Sequence, residues 1–179
     1  MEVIMDETTR NAQSVTTATA AKIVGVGYEG LRSYLKRGLL GSSGLMPPFV
    51  GRDVEAPDLS SARAKWRRFG PVDLCLMRLA KLLMDAGLPF GAANGIASDP
   101  DVRRQFQGRR VPAGMILSWG PHSDFIVFGK EDLAHLPDRL ADLKQTQAVY
   151  TVIRLAPIWE EVHAQMSAIA AAPAGIGAN

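Results

Sequence analysis

Apolar positions recur along the chain in short regular runs that glycine and proline interrupt. Ala20, Ile23 and Val24 have the i, i+3, i+4 spacing of a helix with one buried face. Thr17 or Thr19 can cap that helix, and Gly25 can end it in a left-handed conformation. A second helix is predicted from about Tyr28 to Arg37, with Leu31, Tyr34 and Leu35 on one side and Gly38 as its stop. Residues 41–64 hold three prolines and no regular period, which reads as a long loop or extended hairpin. Residues 64–70, AKWRRFG, suit a returning strand. Pro71 then opens a helix with Val72, Leu76, Leu79 and Leu83 on one side, Cys75 and Leu82 beside them, and Gly87 at its end. A shorter helix follows in residues 88–97, then a polar connector with room for one helical turn in residues 98–110.

The remaining pattern is different. Residues 114–120 and 124–129 read as two short strands joined by Gly120, Pro121, His122 and Ser123. Residues 131–144 suit a helix that buries Leu133, Leu136, Leu140 and Leu143, with Pro137 imposing a kink or a late start. Residues 148–155, AVYTVIRL, are dense in β-branched residues and read as a strand. A last helix from about Pro157 places Ile158, Val162, Met166 and Ile169 on one stripe. The fold class expected is α+β and mainly helical: a helical N-terminal domain at 15–110 and a small β-β-α-β-α unit at 111–172, between tails at 1–14 and 173–179.

Charge adds a division that hydropathy does not show. The chain of 179 residues has a net charge of +2, but residues 15–110 hold 15 Lys and Arg against 8 Asp and Glu, whereas residues 111–179 hold 4 against 7. A basic N-terminal domain beside an acidic C-terminal one suggests different partners, with a polyanion for the first. No apolar run approaches the roughly 20 residues that span a bilayer, and the start, MEVIMDETTR, lacks the pattern of a secretory signal. A cytoplasmic protein with no membrane partner is expected.

The chemistry of catalysis is weakly represented. Cys75 is the single cysteine, so no disulfide framework or thiolate metal cage forms within one chain, and its apolar surroundings suit an inert core thiol. His122, His135 and His163 lack ligand spacing. Neither a metal, a cofactor nor a catalytic group is expected, although an enzyme site in the C-terminal unit is the reading a deep polar pocket would favour.

The most specific pattern lies in residues 25–40 and 65–93. Gly25 and Val26 form a turn, and Leu31, Arg32 and Tyr34 follow within a helix that exits through Gly38, Leu39 and Leu40. Trp66, Arg67 and Phe69 then supply an aromatic-Arg-x-aromatic strand, Asp73 an acidic helix start, and Gly87 and Leu88 a second turn. In order and spacing, residues 16–97 resemble the N-terminal domain of the MerR family. That resemblance implies a winged helix-turn-helix that reads double-stranded DNA as a transcription regulator. The wing here, between Leu40 and Trp66, is longer than the family's, and the sequence shows no long dimerising helix after the fourth helix.

The side chains suit that role. Tyr28, Glu29, Arg32, Ser33, Lys36 and Arg37 form the polar side of the second helix, with Tyr28, Glu29 and Arg32 toward base edges and Lys36 and Arg37 toward phosphates. Thr19 on the preceding helix is a further candidate contact. Arg63, Lys65, Arg67 and Arg68 beside Trp66 would let the wing grip the backbone or minor groove. The bland alternatives are a solvated basic face, with Trp66 and Phe69 as ordinary core residues.

In the C-terminal unit, Ile158, Trp159, Val162 and Met166 form a candidate homodimerisation stripe, which would serve equally to cover the unit's own sheet. An apolar effector near Trp119, Phe125 and Phe128, or a protein partner such as RNA polymerase, are the other expectations for this unit. The rival readings of the whole chain are an excisionase-like architectural DNA-binding protein and a protein-interaction adaptor that keeps the winged-helix fold.

Overall fold

The computed structural model describes residues 14–40, 68–108, 110–119, 124–142 and 150–171. They form an α+β fold made mostly of helices, with two small sheets. The chain divides into two compact units, Met1–Leu74 with Glu160–Asn179, and Cys75–Trp159. None of the described helices is long and apolar enough to cross a membrane.

In the first unit, β1 (Val15–Thr16) leads directly into α1 (Thr17–Val24). The cap of α1 is Thr16, not Thr17 or Thr19: Thr16 Oγ1 accepts from the Thr19 amide at 3.4 Å. Thr17 is already helical and buried, which leaves Thr16, in extended conformation, as the residue whose hydroxyl reaches the free amides. Ala20, Ala21, Ile23 and Val24 are buried, as their spacing requires. Gly25 closes α1 at φ +77, with its own amide donating to Ala21 O and the Val26 amide donating to the same oxygen. A side chain is strained at that φ, so glycine is the residue that lets the chain turn there.

The next helix, α2 (Tyr28–Lys36), packs against α1 and buries Leu31 and Leu35. It ends as α1 does, with Gly38 at φ +88 and the Leu39 amide donating to Tyr34 O at 3.0 Å. Leu39 and Leu40 then turn inward and are buried. Leu40 holds φ +55, a left-handed conformation that costs a branched residue energy and here accompanies complete burial of its side chain. The strand β2 (Arg68–Phe69) pairs antiparallel with β1, Val15 opposite Phe69 and Thr16 opposite Arg68, and packs against α1.

Helix α3 (Pro71–Asp85) begins at its proline, as expected, and the Gly70 amide donates to Asp73 Oδ2 at 3.3 Å. The division between the units falls within this helix and again within the last one. Burial along α3 is broader than one stripe. Leu74, Cys75, Leu76, Met77, Leu79, Ala80 and Leu83 are all buried, whereas Val72 and Leu82 are half-buried. A helix apolar on most sides belongs in an interior.

In the second unit, α4 (Phe90–Ala97) is followed by a complete two-turn helix, α5 (Pro100–Gln107), in place of the expected polar connector. Its local signals are plain. Asp99 accepts from the amides of Asp101 and Val102, Pro100 occupies the first turn, and Val102 and Phe106 are buried four residues apart. The strands β3 (Met115–Trp119), β4 (Phe125–Phe128) and β5 (Tyr150–Arg154) form an antiparallel sheet in the order β4-β3-β5. Ile116 lies opposite Val127 on one side and Ile153 on the other. β3 is central and wholly buried, and Ser118 is the one polar residue within it.

A 3-10 turn over Lys130–His135 and α6 (Leu136–Asp142) replace the expected single helix over 131–144. Leu136 is half-buried against the Met115, Leu117, Trp119 and Phe128 cluster, but Leu133 is exposed, because the tighter turn rotates it off the buried face. Leu140 and Leu143 fall among positions whose side chains lie outside the described set. Helix α7 (Leu155–Ala171) starts two residues before Pro157, which stands within the first turn, where a missing amide costs nothing. The element order of this part of the chain is β-β-α-β-α, as the pattern predicts.

Candidate nucleic-acid interface

A helix that is to read another molecule needs one face fixed to its own domain and the other free to meet the partner. In α2, Leu31 and Leu35 supply the fixed face. Tyr28, Glu29, Ser33, Lys36 and Arg37 are exposed, and Arg32 and Tyr34 are half-buried. The helical repeat places residues 28, 32 and 36, and 29, 33 and 36, in adjoining rows of that outer surface.

The first turn of α2 is more organised than spacing alone indicates. Arg32 Nη1 donates to both carboxylate oxygens of Glu29, at 3.0 and 3.2 Å. The Arg32 guanidinium carbon sits 5.7 Å from the centroid of the Tyr28 ring. Two different attractions, a charge-assisted hydrogen bond and a cation–π contact, therefore bear on one guanidinium. The side chains stay accessible, Arg32 at 38% and Glu29 at 76%. Lys36 lies at the other end of the helix, with Arg37 as its C-cap residue.

The structure places Arg68 elsewhere, on the exposed side of β2. Its Nε donates to Ser14 Oγ at 2.8 Å and its Nη2 to Ser14 O at 2.7 Å. Ser14, counted with the tail from sequence, is thus tied to β2 across 54 positions, a link that no local pattern announces. Thr19 is half-buried and turned toward Thr16, their hydroxyls 3.3 Å apart at the start of α1. The other wing candidates, Arg63, Lys65, Trp66 and Arg67, lie outside the described residues.

Two expectations for the second unit and the last helix need correction. Ile158 and Val162 are buried within the chain, at 2% and 0% exposure, so they offer no surface to a second copy; Trp159 and Met166 are half-buried. Periodicity identified the apolar stripe correctly, but the chain itself covers that part of it. Trp119, Phe125 and Phe128 do not line one pocket either. Trp119 and Phe128 share a buried cluster on one face of the sheet, whereas Phe125, paired with Ser118, belongs to the opposite face.

Cys75 is buried and free, and burial pushes its thiol up to about 12, so it stays protonated and a poor nucleophile at neutral pH. No group of three or more metal-ligating side chains converges among the described residues. No protein-family model matches the chain, and no curated protein matches it.

Proposed function

We propose that residues 15–110 form a winged helix-turn-helix of the MerR type, and that the chain is a sequence-specific regulator of transcription that binds double-stranded DNA. The observation that carries this reading is the division of α2 into a buried leucine face and an exposed face with Tyr28, Glu29, Arg32 and Lys36. A tight left-handed turn at Gly25 joins it to α1, as a helix-turn-helix requires. The β1–β2 pair brings Arg68 back to the start of α1.

In this reading α2 enters the major groove by its first turn. Lys36 and Arg37 meet phosphates at the far end, and the segment at Arg63, Lys65, Trp66, Arg67 and Arg68 grips the backbone or minor groove. A helix of nine residues contacts few base pairs, so a second copy of the chain is expected on the same duplex. Residues 111–172 would then carry the contacts to an effector or to polymerase. The cytoplasm is the compartment where such a regulator works.

The test is fluorescence anisotropy with a labelled random-sequence duplex at two salt concentrations. Binding at about 50 mM salt that weakens roughly a hundredfold by about 200 mM is expected for about four phosphate contacts. Failure to bind at the lower salt would refute the proposal. Binding with no preference between random and genomic fragments would favour the architectural alternative.

A further inference from the structure

The exposed Glu29 sets a problem for a helix that binds DNA. A carboxylate on that face repels phosphates, and an exposed i, i+3 ion pair adds little to the stability of a helix. What Glu29 does visibly is hold Arg32. Its two oxygens engage Nη1 alone. Nη2 and Nε of Arg32 have no hydrogen-bond partner among the described residues. The Tyr28 ring lies on the guanidinium as a third constraint.

An arginine so held presents one specific edge. The Nε–Nη2 side of a guanidinium carries two parallel N–H donors, the arrangement that matches O6 and N7 of guanine in the major groove. A free arginine on a flexible stem would as readily take a phosphate. Orienting the fork beforehand lowers the entropy lost on meeting a base, and the nearby carboxylate makes a phosphate a poorer competitor.

We infer that Arg32 reads a guanine, and that Glu29 and Tyr28 are positioning residues that hold its guanidinium for that contact. This rests on the DNA-binding reading of α2 and adds to it the base recognised and the device that selects it. The role of Glu29 is to exchange general affinity for discrimination.

The experiment is selection from a duplex pool with a randomised core at about 50 mM salt, with sequencing of the bound fraction, alongside anisotropy on a random duplex. The full chain is compared with Glu29→Ala, Glu29→Gln and Arg32→Lys. The full chain should enrich guanine at one position by about tenfold or more, as a bidentate contact does. Glu29→Ala should lose most of that enrichment while its affinity for the random duplex rises severalfold, because a negative charge has gone. Glu29→Gln, which keeps an acceptor, should retain part of the preference. Arg32→Lys should lose the preference and keep its random-duplex affinity. A merely structural role for Glu29 would lower both readouts together, and that result would overturn the inference. So would an enriched motif without guanine, or one that Glu29→Ala leaves intact. If the unaltered chain retains no duplex at all, the DNA-binding reading itself has failed.

Discussion

Replacing Phe69 by alanine will destabilise the first unit by about 3–5 kcal/mol, the range for truncating a fully buried aromatic side chain. Phe69 is wholly enclosed, at 0% exposure, although β2 contributes only two residues. It is the one side chain of β2 that turns inward, and β2 packs against α1. Its loss therefore removes contacts from α1 and weakens the pairing of Val15 with residue 69. Urea denaturation followed by circular dichroism gives the measurement. A loss below about 1 kcal/mol would mean that β2 is not fastened as the structure has it.

Reversing two charges at the far end of α2, Lys36→Glu together with Arg37→Glu, will lower affinity for any duplex by roughly a hundredfold at about 50 mM salt. Each phosphate contact contributes close to one unit to the slope of log affinity against log salt, so the slope should fall by about two. Both residues are exposed, so folding should change little. The base preference of the remaining protein should persist, because Arg32 lies a full turn earlier on the helix. Titrating wild-type and variant chains with one labelled duplex over a salt series separates these effects. An unchanged slope would show that this end of α2 does not touch the backbone.

Much of this architecture is legible in local signals. Gly25, Gly38 and Gly87 all adopt the positive φ that ends their helices, and each was readable as a stop. The leucines of α2 and the strands β3 and β5 lie where their periods place them. What escaped was set by partners distant in sequence or by choices among near-equivalent local signals. β1 is two residues long and exists because β2 pairs with it more than fifty positions later. Spacing offers Thr17 or Thr19 as the cap of α1, and the cap is Thr16 because the strand before it sets where the helix begins. In α5 the polar composition obscured a strong cap, Asp99 followed by Pro100.

The candidate site divides along the same line. Spacing on α2 identified the outer surface but not the bonding within it. That Arg32 would bind Glu29 through one nitrogen and lie over Tyr28 depends on rotamers, which sequence does not state. For α7, periodicity marked Ile158 and Val162 as apolar positions, yet whether a second copy or the chain itself covers them is a tertiary question. Here the chain covers them.

The central claim is that α2 is the surface that meets DNA. Adding a duplex to isotopically labelled protein and following the backbone amide resonances tests it most directly. Saturable shifts concentrated in residues 28–37 and 68–69 are expected, with the strands β3, β4 and β5 nearly unaffected. Shifts confined to the sheet of the second unit, or none at low salt, would contradict it.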